Sequence, residues 1–368
     1  MTATSVSQQP ILLMAGGTGG HVFPALAIAE ALRAQNIPVA WIGTEKGLEA
    51  RIVPAAQIPI HYLSIQGVRG KGAFSLVAAP FRIVRAIAQA IKILRQVKPR
   101  AVVGMGGFVT GPAGIAAWLL RIPVIVHEQN AIAGLTNRWL ARIATQVLEA
   151  FPETFPKSYH AVYTGNPLRN SISQIIKNQA TKKEVFNILI VGGSLGAKAL
   201  NDMLPLALHS IEQPIAVWHQ TGKNNADSTA EAYHLAKYPV KVVEFIENMA
   251  EAYEWADLVI CRAGALTVSE LAQAGVPSIL VPFPHAVDDH QTHNAKYLVA
   301  QGAAILIQQR DLNPAKLASA ISELLNPSRL AQMAAAAQAC ATPEALTQVV
   351  AMVLKHSLTS NPVEETPP

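Results

Sequence analysis

ILLMAGGTGGHVFPALAIAEAL, residues 11–32, changes its pattern twice within twenty-two residues. ILLMA is a short apolar run of strand length, GGTGGH is a glycine-rich turn, and VFPALAIAEAL carries apolar residues at helical spacing. A strand that enters a helix through glycines is the opening of a βαβ unit, and the same pattern then recurs along the chain. ILLMA, VAWIG, AVVGM, PVIVH and QVLEA in the first half, and NILIV, AVWHQ, VKVVEF, LVICR, SILVP and AAILI in the second, each precede a helix-like stretch. Alternating strands and helices require right-handed crossovers and parallel sheets covered on both faces. The chain therefore reads as two doubly wound, Rossmann-like α/β units in tandem, which its 368 residues accommodate.

Both halves open alike, with ILLMAGGTGG and NILIVGGSLGA, and a third glycine turn, GMGGF, follows AVVGM. Ligands of open parallel sheets sit beyond the carboxyl ends of the strands, where all three turns fall; two facing sheets would form a cleft there. Glycines at a helix start let backbone N–H groups approach a phosphate. Neither GGTGGHVF nor GGSLGAKA supplies the P-loop G-x-x-x-x-G-K-[ST], and the dinucleotide fingerprint fails at Val22. Glycines serving only as tight turns remain an alternative for any one loop, less so for three. His21 stands where it is either a capping residue or a neutral imidazole able to take a proton from a hydroxyl.

Charge is uneven. Residues 1–163 hold 15 Lys/Arg and 6 Asp/Glu, and residues 164–368 hold 14 and 18. No acid occurs between Glu49 and Glu128, while ten Lys/Arg fall there. Within that stretch Phe74, Leu76, Val77, Phe81, Ile83, Val84 and Ile87 alternate with Arg82, Arg85, Lys92 and Arg95. A packed helix with solvated cations is one reading, and a face for an anionic partner is the other. The aliphatic character lacks the aromatics that stack bases, which argues against nucleic acid. The apolar run 101–120 has bilayer length, but its five glycines read better as strand, turn and helix than as a span. MTATSVSQQP has no secretory pattern, and Cys261 and Cys340 are the only cysteines, which predicts an intracellular protein.

Seven segments then carry a resemblance over about residues 11–355: GGTGGHVFPALAIA (16–29), GMGGFVTGPAG (104–114), HEQNAIAGLTNRWLA (127–141), TGNPLR (164–169), GGSLGAKALN (192–201), CRAGALTVSELAQAGVPSILVPFPHA (261–286) and DDHQTHNA (288–295). In order and spacing they resemble the family 28 glycosyltransferases of GT-B fold that move GlcNAc from UDP-GlcNAc to lipid I, undecaprenyl-pyrophosphoryl-MurNAc-pentapeptide. The resemblance implies an inverting transfer that yields lipid II in peptidoglycan synthesis. It implies an acceptor and membrane-associating domain over 1–164 and a donor domain over 165–345. A C-terminal helix at 346–357 is expected to return toward the first domain, and the composition of SLTSNPVEETPP predicts a disordered tail at 358–368.

By the same resemblance, Thr18, Gly19 and Gly20 face the reacting groups, with Gly17, Gly106 and Gly107 at the acceptor pyrophosphate. Asn130 contacts the donor GlcNAc, and Arg169 and Ser194 line the donor site. Ile246 presents main-chain groups to uracil. Ala265, Leu266, Thr267, Val268, Ser269 and Glu270 surround the α-phosphate and ribose, and Gln291 reads sugar hydroxyls. Glu270 is otherwise a first-turn helix acid, and Gln291 and Asn294 are otherwise an ordinary helix start. His21 is the candidate base, with Glu128 as a weaker one or as an orienting group. Some relatives carry two adjacent glutamines where this chain has His290 and Gln291. Asp288, Asp289, His290 and His293 are too closely spaced to predict a metal site, and no cofactor is expected. Peripheral attachment to anionic phospholipid at the cytoplasmic face of the plasma membrane is expected, through Phe74, Leu76, Phe81, Arg82 and Arg85, with cell-wall synthesis proteins as further partners. A UDP-GlcNAc 2-epimerase, a glycolipid glucosyltransferase and a non-catalytic nucleotide-sugar binder are the alternatives.

Overall fold

The computed structural model describes residues 9–65, 79–175, 184–193 and 195–358. The chain forms two compact units, one running to Arg169 and resuming at Glu344, the other spanning Asn170–Pro343.

The first unit is built on strands β1 (Ile11–Ala15), β2 (Val39–Gly43), β3 (Ile60–Tyr62), β4 (Ala101–Gly106), β5 (Val124–Glu128), β6 (Gln146–Glu149) and β7 (Val162–Tyr163). They lie in the order β3-β2-β1-β4-β5-β6-β7, every neighbouring pair parallel. All five residues of β1 are fully buried, which explains why ILLMA carries no alternation: both faces of the strand are covered. Each such Leu or Ile contributes about 1.5 to 3 kcal/mol through burial. The helix Gly19–Ala34 covers one face. The C-terminal helix Ala345–Leu358 packs beside it, with Val349, Val350 and Val353 entering the same core as Val22, Ile28 and Leu32.

The strand order reverses at β1, whose neighbours are β2 on one side and β4 on the other. Beyond this switch point lie Gly16–Gly20 and Gly106–Gly107. A register shift after Met14 pairs Ala15 with Gly106 and so sets the two glycine turns side by side.

The second unit repeats the plan with β8 (Phe186–Val191), β9 (Ile215–Gln220), β10 (Val240–Val243), β11 (Leu258–Cys261), β12 (Ser278–Leu280) and β13 (Ala304–Leu306), all parallel and ordered β10-β9-β8-β11-β12-β13. Its switch point is at β8 and β11, where Gly192–Gly193 and Arg262–Gly264 leave the sheet. Residues 101–120, weighed above as a membrane span, are β4, a turn and the helix Thr110–Leu119. No helix among the described residues is long and apolar enough to cross a membrane.

Candidate active site

In the first unit the glycines of 16–20 have distinct jobs. Gly17 has φ +94°, a left-handed conformation that a side chain would strain, and its N–H donates to Glu49 Oε2 at 3.0 Å. That amide proton is therefore committed inside the protein, so a group bound at this turn would meet Gly17 through its place in the loop and not through its N–H. Glu49 is fully buried; its Oε1 accepts from Thr44 N and Thr44 Oγ1, each at 2.8 Å. A Cβ on Gly16 would come within 2.7 Å of Glu49 Oε1, so the loop's path depends on this carboxylate. Thr18, in extended conformation, is the N-cap residue of the Gly19–Ala34 helix, whose exposed start includes Gly20.

His21 sits on the first turn of that helix, half-buried. Its ring lies on Gly106, where a Cβ would be 2.9 Å from His21 Cε1, and Gly106 adopts φ +108°. A Cβ on Gly107 would strike the Gly16 carbonyl. Gly106 and Gly107 thus serve close backbone approach, making room for His21 and the first loop. His21 Nδ1 lies 2.7 Å from Gln129 Oε1.

Glu128 is 1 % exposed, and four donors fill its two oxygens. Oε1 accepts from Asn130 N at 3.0 Å and Asn130 Nδ2 at 3.1 Å; Oε2 accepts from Gly134 N at 3.0 Å and Asn137 Nδ2 at 2.9 Å. Both oxygens are thus engaged within the protein, an arrangement that suits the orienting role. The group oriented is Asn130. His127, fully buried, is held neutral: burial pushes its pKa down to about 4, against opposing contributions from the Gly165 carbonyl and Glu128. Arg169 is exposed, with Cζ 5.4 Å above the Phe23 ring.

In the second unit, Gly193 N donates to Gln220 Oε1 at 2.9 Å, and Gln220 Nε2 donates to Gly193 O at 3.0 Å and Glu244 O at 2.8 Å. This clamp fixes the start of the loop that contains Ser194, which itself lies outside the described residues. Behind it, buried His219 bonds to Tyr233 Oη and Asn201 Oδ1. Burial lowers its pKa to about 3.

Gly264, extended, is the N-cap residue of the helix Ala265–Ala274, so Ala265, Leu266 and Thr267 form its first turn and Val268 N bonds to Gly264 O. Ser269 and Glu270 follow within two turns, and Glu270 Oε2 accepts the hydroxyl proton of buried Tyr253 at 2.9 Å. Gln291, on the helix His290–Ala300, accepts Phe283 N at 2.8 Å through Oε1, which turns its Nε2 donor away from that backbone. Arg262 anchors the same segment by donating to Val281 O and Pro282 O. Ile246, 4 % exposed, follows the end of β10. Among the described residues no three His, Cys, Asp or Glu side chains gather as metal ligands. His290 Nδ1 and His293 Nδ1 bond to the carbonyls of Val287 and Asp289.

The residues that sequence reasoning did not single out are Glu49, Gln129, Gln220 and Tyr253. Each is a supporting group behind a glycine turn or a candidate contact.

Two parallel-sheet units, each with glycine turns at its switch point, define the GT-B class of fold. The Glycosyltransferase family 28 N-terminal domain matches residues 11–149 and the family 28 C-terminal domain matches 187–349, and the chain belongs to glycosyltransferase family 28. It is 51 % identical over 348 residues to the UDP-N-acetylglucosamine–N-acetylmuramyl-(pentapeptide) pyrophosphoryl-undecaprenol N-acetylglucosamine transferase of Pseudomonas fluorescens, covering 94 % of this chain and 98 % of the relative. The transferase of the same name from Methylococcus capsulatus is 53 % identical over 349 residues, with the same coverage. The crystal structure of Acinetobacter baumannii MurG matches with a TM-score of 0.82 at 46 % identity, covering 94 % of this chain and 99 % of that one.

Proposed function

We propose that this chain transfers GlcNAc from UDP-GlcNAc to the MurNAc 4-hydroxyl of lipid I, with inversion at the anomeric carbon, giving lipid II and UDP. The single observation that carries the chemistry is His21, whose ring is seated on Gly106 and bonded to Gln129 beside an exposed glycine-rich helix start. His21 takes the proton of the attacking hydroxyl as the new C1–O4 bond forms. The C1–O bond to UDP breaks, and its electron pair leaves on the β-phosphate oxygen. General-base assistance of this kind contributes about 10²- to 10⁴-fold.

Thr18, Gly19 and Gly20 face the acceptor in this reading, with Gly106 and Gly107 setting the width of the turn beneath it. On the donor, Ile246 meets uracil, Glu270 the ribose, Gln291 and Asn130 the sugar. The helix start at Ala265–Ser269, with Arg169 and Ser194, meets the diphosphate. A helix N-terminus and oriented amides supply positive potential where the leaving charge develops. The proposal assigns that role to these groups rather than to a divalent ion, and needs no resident cofactor.

The helix Ala79–Val97 buries Ala86, Ala90 and Leu94 along one face and exposes Phe81, Val84 and Arg85 in its first turns. Such a face supports peripheral attachment to anionic phospholipid on the cytoplasmic leaflet, where lipid I is embedded and where other cell-wall enzymes would meet this one. Phe74 and Leu76, assigned to the same face, lie outside the described residues.

Incubation with radiolabelled UDP-GlcNAc tests the function. Label entering lipid I analogue, undiminished by a chelator, is expected. Free sugar released from UDP-GlcNAc without any lipid would indicate an epimerase and overturn the reading.

A further inference from the structure

Three hydrogen bonds run from a buried backbone carbonyl to the His21 ring. Their direction is fixed at the far end. His127 Nε2 lies 3.0 Å from Gly165 O, and a carbonyl only accepts, so Nε2 carries the proton. Burial keeps this ring neutral, so its Nδ1 is left with a lone pair. Gln129 Nε2 donates to that Nδ1 at 3.1 Å and to the His127 carbonyl at 2.8 Å. The second of these bonds fixes which way the amide points, because the reversed amide would set oxygen against oxygen. Gln129 Oε1 therefore faces His21 Nδ1, at 2.7 Å, and an amide oxygen accepts only from an N–H.

We infer that Gln129 and His127 are positioning residues that hold neutral His21 as its Nδ1–H tautomer, leaving the Nε2 lone pair as the proton acceptor. The catalytic consequence rests on the reading of His21 as the base; the tautomer does not. Both supporting side chains are at most 1 % exposed, so water does not compete for the bonds. When His21 takes a proton at Nε2, its Nδ1–H bond to Gln129 persists, and the partner is a neutral amide rather than a carboxylate. The imidazolium is then oriented by a neutral hydrogen-bond partner.

The experiment uses the full chain labelled with ¹⁵N-histidine, with the His21 signals assigned by their loss in His21→Ala. Long-range ¹H–¹⁵N correlation of the neutral ring is expected to show a protonated Nδ1 and a bare Nε2. Gln129→Leu removes the acceptor and is expected to yield a tautomer mixture. Its kcat should fall about 10- to 100-fold, with KM for UDP-GlcNAc within about twofold of the parent. Gln129→Glu keeps an acceptor at Nδ1 and, protonated on the oxygen that faces the His127 carbonyl, is expected to keep the tautomer, a result that mere filling of space would not give. A parent enzyme with His21 protonated at Nε2, or a Gln129→Leu variant with the parent's tautomer, overturns the inference. If the spectra agree but His21→Ala turns over at the parent rate, the base assignment falls, and the catalytic consequence with it.

Discussion

Glu49 Oε2 accepts the amide proton of Gly17 at 3.0 Å, and this bond ties the first glycine turn to a carboxylate that has no exposure to water. Its other oxygen takes two more donors from Thr44. Glu49→Gln replaces one acceptor oxygen by an NH₂ that faces N–H donors, and each orphaned buried donor costs about 1 to 3 kcal/mol. Thermal or urea unfolding should register a loss of that size, and KM for lipid I should rise more than KM for UDP-GlcNAc. A variant with parental stability and acceptor KM would show that the turn does not depend on Glu49.

Gly106→Ala tests the seat of His21 without touching the histidine. The added methyl would stand 2.9 Å from His21 Cε1, on a backbone at φ +108° that alanine rarely adopts. The ring must move, and a displacement of about 1 Å from a reacting group can cost 10²-fold. We expect kcat to fall about a hundredfold, as in His21→Ala, while calorimetric UDP-GlcNAc binding stays near the parental affinity.

Glu128→Gln separates an orienting carboxylate from a base. Four donors point at its oxygens, so the amide leaves at least one of them facing an NH₂. Loss of about 1 to 3 kcal/mol of stability and a several-fold rise in KM for UDP-GlcNAc through misplaced Asn130 are the expected results. A kcat loss beyond a hundredfold with stability and KM intact would return Glu128 to the chemistry.

These three positions also show how far the sequence could be read. Buried strands announce themselves as unbroken apolar runs, so the sheets were legible. The edge strands Ile60–Tyr62 and Val162–Tyr163 were not, because three residues of IHY and two of VY carry too little pattern against their partly exposed surroundings. Glycine turns locate the strand ends where ligands bind but do not say which of their amides are already spent. That Gly17's amide is committed follows from Glu49, thirty-two residues away. The composition did hold a trace of this: Glu49 and Glu128 bound the acid-free stretch, and both are buried acceptors rather than surface charges. Gln129 lay inside a quoted motif, but its role depends on which end of its amide faces His21, and only three-dimensional contacts fix that.

Acid should destabilise both units through their buried histidines. His127 and His219 have folded-state pKa values lowered to about 4 and about 3, against 6.5 in the unfolded chain. Between those values the unfolded state binds a proton that the folded state does not, so stability is full above pH 6.5 and is lost as pH falls toward the folded values. Each histidine contributes a slope approaching about 1.4 kcal/mol per pH unit in that window. Unfolding free energies measured from pH 7.5 to 4.5 should fall accordingly, and His219→Gln should flatten the dependence for the second unit. A pH-independent stability over this range would show that neither ring is held neutral.

The proposed membrane attachment makes a separate prediction, because the exposed first turns of Ala79–Val97 take no part in the core. Phe81 is 81 % exposed and Val84 65 %, on the same helix as Arg82 and Arg85. Apolar side chains at an anionic surface add burial to the roughly 1 kcal/mol that each nearby cation contributes. Co-sedimentation with vesicles should therefore rise with phosphatidylglycerol content and fall as salt is raised. Phe81→Asp combined with Val84→Asp should weaken it by tenfold or more, on the order of the 1.4 kcal/mol that a factor of ten represents. Because neither side chain packs in the interior, the double variant should unfold at the parental temperature, and loss of vesicle binding then reports the surface rather than the fold. Binding that ignores both lipid charge and this substitution would place the attachment elsewhere on the chain.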